Sequence, residues 1–195
     1  MKEGRSGATS ATPKSIVFGA GTIHKGLKYE GAAWNFTDSL VGATSGGSKV
    51  SIKPEITKVE VDGVYVNTKE LSKKTGGTAT MEVNFIELTE DVLTVATLGE
   101  SAAATTDTRF NLIEDKADIA VGDYWENIAF VGKTLDDRNI IAILDNALCT
   151  SGFENNNKSK EGTVGTYTFE CYAGLDGDGE TLPWHIYYPN DTYAA

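Results

Sequence analysis

A chain of 195 residues supports one domain, and at that size about 70% of the unfolded surface is buried on folding without disulfide help. Seventeen basic residues against twenty-eight acidic ones give a net charge of −11, which excludes a broad phosphate-neutralising surface of the kind nucleic-acid binders use. The N-terminal MKEGRSGATSATPKS lacks the apolar stretch of a signal peptide, and no apolar run is long enough to cross a membrane.

The first fourteen residues, rich in Gly, Ser and Thr, predict a flexible N-terminal arm that becomes ordered only against a partner. SIVFGAGTIHKG reads as short strands turning at Gly19 and Gly21, and a loop from Gly31 to Gly47 follows with Trp34 and Phe36 as anchors. In KVSIKPEITKVEV, 49–61, apolar Val50, Ile52 and Ile56 alternate with Ser51, Lys53, Glu55 and Thr57, predicting a long strand at a sheet edge or bent near Pro54. DGVYVNTKELSKKTGG, 62–77, is then a long polar connection. A hairpin closes in two to five residues, so a loop of this length costs ordering entropy and implies a purpose.

GGTATMEVNFIELTEDVLTVATLG, 76–99, passes from a strand pattern to a helical one with no proline or glycine between. Met81, Val83 and Phe85 alternate with Thr80, Glu82 and Asn84 as in a strand buried on one face. The phase changes at Ile86 and Leu88, Thr89 is placed to cap a helix, and Glu90 and Asp91 favour its first turn. Val92, Leu93, Val95, Ala96 and Leu98 form the helical stripe, with Gly99 as a left-handed terminator. A helix of about ten residues does not stand alone in water, so it docks on the sheet.

Beyond it come an Ala/Thr turn at 101–108, then RFNLIEDK, a strand at 124–133, a DDRN turn, and IIAILDNALCTSGF. The polar ENNNKSKEG precedes a strand whose inward row is Tyr167, Phe169 and Cys171; DGDGE turns the chain and PWHIYYP is a last short strand. The pattern predicts a mainly β fold of about eight strands, an antiparallel sandwich or barrel with one flanking α-helix and no internal repeat.

Motifs that suggest chemistry have simpler readings. FGAGTIHKG lacks the third glycine at dinucleotide-loop spacing, and β-branched residues stand where a helix must begin. DGDGE has alternate carboxylates but no later glutamate ligand, so a hairpin turn explains it. His24 and His185 have no neighbour at metal-ligand spacing, and no G-x-S-x-G elbow occurs. Trp34, Trp125 and Trp184 suit a sugar platform or, spread as they are, separate core anchors. Cys149 and Cys171, in apolar runs, read as buried thiols of an intracellular protein rather than a disulfide, and the sequons at Asn35, Asn157 and Asn190 as chance matches. No enzyme, metal or cofactor is expected.

In order, FGAGTIHKGL, KVSIKPEITKVEVDG and GTATMEVNFIELTEDVLTVATLG resemble the major tail tube proteins of long-tailed bacteriophages, over about 15–100; beyond that only the strand order agrees. The resemblance implies a single tube domain over 15–195. It implies a homo-oligomer whose rings, of six, stack into a hollow tube with other tail proteins, in a virion tail made in the bacterial cytoplasm. DNA passes through the lumen during ejection without specific binding. On that basis Asp62, Tyr65, Val66, Asn67, Lys69, Glu70, Lys73 and Lys74 lie on an arm reaching an adjacent ring. Ser51, Glu55, Thr57, Thr80, Glu82 and Asn84 line the lumen, and the helical stripe covers the sheet's outer side. The acidic charge then keeps DNA from sticking to the wall. The competing expectations are a monomeric carbohydrate- or receptor-binding sandwich and a head-decoration or tail-completion protein.

Overall fold

The computed structural model describes residues 7–157, 159–160, 162–177 and 179–193. Its centre is one large antiparallel sheet built from β1 (Val17–His24), β8 (Trp125–Thr134), β9 (Asn139–Cys149), β10 (Gly165–Cys171), β5 (Ser72–Phe85) and β4 (Thr44–Lys58), in that spatial order. A further strand, β11 (Trp184–Tyr187), pairs with β9 where β10 has left it. Two small hairpins, β2–β3 (Tyr29–Glu30, Ala33–Trp34) and β6–β7 (Glu100–Ala103, Asn111–Glu114), and one α-helix, α1 (Glu90–Thr97), complete the described elements apart from short 3₁₀ turns. The fold is mainly β with one flanking helix. The end strands β1 and β4 touch, so the sheet curls around its core. No described helix is long and apolar enough to cross a membrane.

The alternation in β5 sets that core. Ala79, Met81, Val83 and Phe85 are buried, and beside them on β10 stand Tyr167, Phe169 and Cys171, in direct register as Tyr167 opposite Val83 and Phe169 opposite Met81. Trp125 stacks on Phe169 at 5.0 Å. The lid over this layer is α1. Thr89 accepts from the Val92 amide at 3.3 Å and so starts the helix, which buries Val92, Val95 and Ala96 in the same cluster. Leu93 and Leu98 of the expected stripe are only half-buried. Leu98, not Gly99, takes the left-handed position, at φ 51°. Gly99 is needed for a different reason, since a Cβ there would lie 2.8 Å from the Glu114 carbonyl on β7. Glu90 ties helix and hairpin together, accepting from Ser101 at 2.5 Å and Asn111 at 2.7 Å.

A second cluster lies on the other face. Ile128 and Leu144 join the first core, whereas their neighbours Ala129 and Ile143 pack with Leu27, Val131 and Ile141 under Trp34 and Phe36. Successive strand residues point to opposite faces, so β8 and β9 are covered on both sides here. Asn127, at φ 48°, marks the point at which the residues of β8 facing the first core change from odd (Trp125) to even (Ile128) positions.

Several local expectations are corrected. Gly19 (φ 94°) and Gly21 (φ 70°) do need positive φ, but inside one bulged strand rather than at a turn between two. The stretch 101–108 is not all turn, because Glu100–Ala103 pairs with Asn111–Glu114. Alanine-rich strands have weak intrinsic preference, and the tie from Glu90 supplies the support that propensity does not. Of the expected mobile arm, residues 7–14 are described and run into a 3₁₀ turn at Thr12–Ser15; residues 1–6 lie outside the description. The Arg138 guanidinium, nearly buried and paired with Asp136 at 2.9 Å, donates to the Lys14 carbonyl at 2.9 Å and the Asn190 carbonyl at 3.3 Å.

Candidate functional site

β4 and β5 stay paired from Thr44 opposite Phe85 to Lys58 opposite Ser72, far beyond the body of the domain. In the inner half, Val50 and Ile52 pack on the core. From Lys53 outward β4 is exposed on both faces, as is β5 from Ser72 to Thr75. The ladder is bulged at Thr75, whose hydroxyl meets that of Thr57 at 2.9 Å. The Val59 amide donates to the Leu71 carbonyl at 2.8 Å, and the chain closes through 59–71 with a 3₁₀ turn at Lys69–Leu71.

The connection expected at 62–77 is therefore 59–71. Asp62, Tyr65, Val66, Asn67, Lys69 and Glu70 belong to it, while Lys73 and Lys74 sit in β5 opposite Thr57 and Ile56. Lys-Lys-Thr-Gly-Gly is a poor strand former alone; pairing along the whole of β4 overrides the propensity. The tip leaves large side chains in solvent: Tyr65 is 95% and Val66 78% exposed, beside exposed Val59, Val61 and Val64. Residues 53–75 carry Lys53, Lys58, Lys69, Lys73 and Lys74 against Glu55, Glu60, Asp62 and Glu70, a net of +1. The rest of the chain, at −11 less +1, carries −12.

The second surface is the polar face of the same strands. Ser51 stands opposite Thr80, Lys49 opposite Glu82, and Lys53 opposite Thr78; on the other side of β5, Thr168 stands opposite Glu82 and Thr166 opposite Asn84. By strand alternation Ser51, Glu55, Thr57, Thr80, Glu82 and Asn84 share this face, and none of them is buried. Asn84 is tied down rather than free, donating to the Gly47 carbonyl at 3.0 Å and accepting from the Thr166 hydroxyl at 2.7 Å.

The remaining candidates are dispersed. His24 is buried, with Nδ1 2.9 Å from the Ser39 hydroxyl and Nε2 2.8 Å from Thr22. Ser39 donates to the Asn35 carbonyl at 2.6 Å, so its oxygen accepts from His24 Nδ1–H and is not primed as a nucleophile. Burial lowers the His24 pKa. Both cysteines are free and buried; burial raises the Cys149 pKa and pushes Cys171 up to about 11, so both stay as thiols. Among the described residues no three His, Cys, Asp or Glu side chains converge on a metal position. Asp178 of DGDGE lies outside the description, and the segment joins two strands that do not pair with each other, so it is not the hairpin turn expected.

The three tryptophans do not share a platform: Trp125 and Trp184 belong to the helix-side core, Trp34 to the opposite face. The sequence reading missed that Trp34 meets Tyr29 and Tyr187 there. The alternation of His185 and Tyr187 was the available signal, without any sign of which strand β11 would join. No protein-family model matches the chain, and no curated protein matches it at a significant level.

Proposed function

We propose that the chain is a structural subunit that assembles with copies of itself into stacked rings, forming a tube of the phage-tail kind through which DNA passes. The projecting β4–β5 hairpin carries this reading. A paired arm exposed on both faces buries little within its own chain, yet ends in Tyr65 and Val66, which are left in water. Such an arm gains its stabilising contacts from another molecule. The surplus of lysine on the arm against an acidic body supports a second copy as that molecule, because opposite patches attract and orient the encounter. The polar face of β4 and β5 carries hydroxyls, with Lys49 and Lys53 offset by Glu55 and Glu82, and this balance of charge suits a wall past which a polyanion moves without adhering.

Electron microscopy and size-exclusion chromatography of the purified protein at rising concentration test the reading. Rings or tubes are expected from the parent. A variant with 60–70 replaced by Asn-Gly, which closes the hairpin tightly at the Val59–Leu71 bond, is expected to stay a folded monomer. A parent that stays monomeric at every concentration, or a shortened variant that assembles normally, overturns it.

A further inference from the structure

Away from the arm, four rings form an unbroken row on the face opposite α1. His185 lies 6.4 Å from Tyr187, Tyr187 packs edge-on to Trp34 at 4.8 Å, and Trp34 packs edge-on to Tyr29 at 5.4 Å. Two separate elements bring them together. Tyr29 and Trp34 are paired residues of the β2–β3 hairpin, while His185 and Tyr187 are alternate residues of β11, opposite Ile143 and Ile141. Trp34 is anchored by the second core beneath it. The tyrosines are not absorbed by it, being 59% and 48% exposed at Tyr29 and Tyr187.

The row borders an open pocket whose remaining lining is apolar Leu27 and Ile143 together with polar Lys28, Asn127 and Asp145. Asp145 Oδ2 is held 3.0 Å from His185 Nε2, and the Asp145 amide donates to the Pro183 carbonyl at 2.9 Å, so the carboxylate is fixed at the pocket edge. Asn127 is in the left-handed conformation at φ 48°.

We propose that this pocket binds a neutral saccharide. Half-exposed aromatic faces suit the C–H faces of a pyranose, and a carboxylate, an amide, an ammonium and two phenols around them suit its hydroxyls. Core packing accounts for Trp34 but leaves the exposed Tyr29 and Tyr187 unexplained. One carboxylate and one ammonium nearly balance in the pocket, and the chain's net charge of −11 repels polyanions, so a neutral sugar is favoured over an acidic glycan or a nucleic acid. Tyr187 and Tyr29 are the stacking surfaces. Asp145, oriented by His185, accepts hydrogen bonds from sugar hydroxyls, and Lys28 and Asn127 donate to them.

The site is independent of the arm, so its test and the assembly test fail separately. The whole chain is titrated with maltohexaose, cellohexaose and a neutral galacto-oligosaccharide, read by saturation-transfer NMR and tryptophan fluorescence. At least one is expected to bind. Tyr187→Ala and Asp145→Asn are each expected to weaken it by about tenfold or more, with the melting temperature unchanged, while Tyr65→Ala leaves affinity as it was. Three results each overturn the proposal: no binding by any of the three sugars at about 10 mM, equal binding by both pocket variants, or self-association of the parent that Tyr29→Ala and Tyr187→Ala abolish. The last would assign the row to a contact between copies.

Discussion

Asn84 on β5 accepts the Thr166 hydroxyl of β10 at 2.7 Å and thereby couples the arm-bearing hairpin to the strand behind it. Its amide nitrogen donates to Gly47 on β4 at 3.0 Å, so one side chain spans three strands at the inner end of the ladder, away from the arm. Asn84→Ala is expected to lose about 1–2 kcal/mol of stability in urea unfolding. Thr80→Ala, on the same face, is expected to stay within about 0.5 kcal/mol of the parent. Equal effects would mean that Asn84 is an ordinary surface residue.

Glu55 and Glu82 share the polar face, and the tube reading puts them inside. Replacing Glu82, which lies on the inner half of the ladder away from the projecting arm, by lysine should leave assembly intact while DNA passage slows, with the delay relieved by salt because added ions screen charge at short range. A lysine reagent too bulky for the lumen should fail to label the new side chains in assembled tubes. Free labelling with unchanged passage would place the face on the outside.

His24 predicts a stability change in mild acid. The folded site holds the imidazole neutral, with Nδ1–H given to Ser39 and Nε2 accepting from Thr22, and burial lowers its pKa below the ordinary 6.5. The unfolded chain thus binds the proton first. The stability that His24 contributes is complete above pH 6.5 and is lost as pH falls from there toward the lowered folded value. Thermal melts of the parent between pH 7.5 and 5, compared with His24→Gln, check this; parallel curves would remove His24 as the cause.

Gly21 tests the bulge in β1. Its φ is +70°, and a Cβ there would lie 2.4 Å from the Phe130 ring and 2.8 Å from the Val131 carbonyl. Gly21→Ala is expected to cost about 2–4 kcal/mol by chemical denaturation. Gly19→Ala, at φ +94° with open space around it, should cost less, near the 1–3 kcal/mol of backbone strain alone.

Period-two alternation made β5 and β10 legible in the sequence, and Thr89 with its acidic neighbours located the helix start. What escaped was decided by partners distant in the chain. Ser72–Gly77 looks like loop because lysine and glycine rarely build strands, yet twelve registered pairs with β4 hold β5 extended. Leu98 takes the left-handed position although glycine follows it, because the close approach of β7 reserves Gly99 for space. The polar face was readable as a face, but alternation alone does not reveal that Asn84 is engaged within its own chain. Of the aromatic row only the alternation of His185 and Tyr187 was legible, since nothing local joins Tyr29 to Tyr187.

Arg138 holds the Lys14 and Asn190 carbonyls on a single guanidinium. The chain therefore enters and leaves the sheet through one shared doorway at the β8–β9 turn. A short linker can join the two segments, making the domain a natural host for circular permutation. A label fused upstream of Lys14 and another fused downstream of Asn190 would report on each other by energy transfer within one subunit. If the proposed rings form, cargo fused beside Lys14 and cargo fused beside Asn190 would crowd into the same radial position.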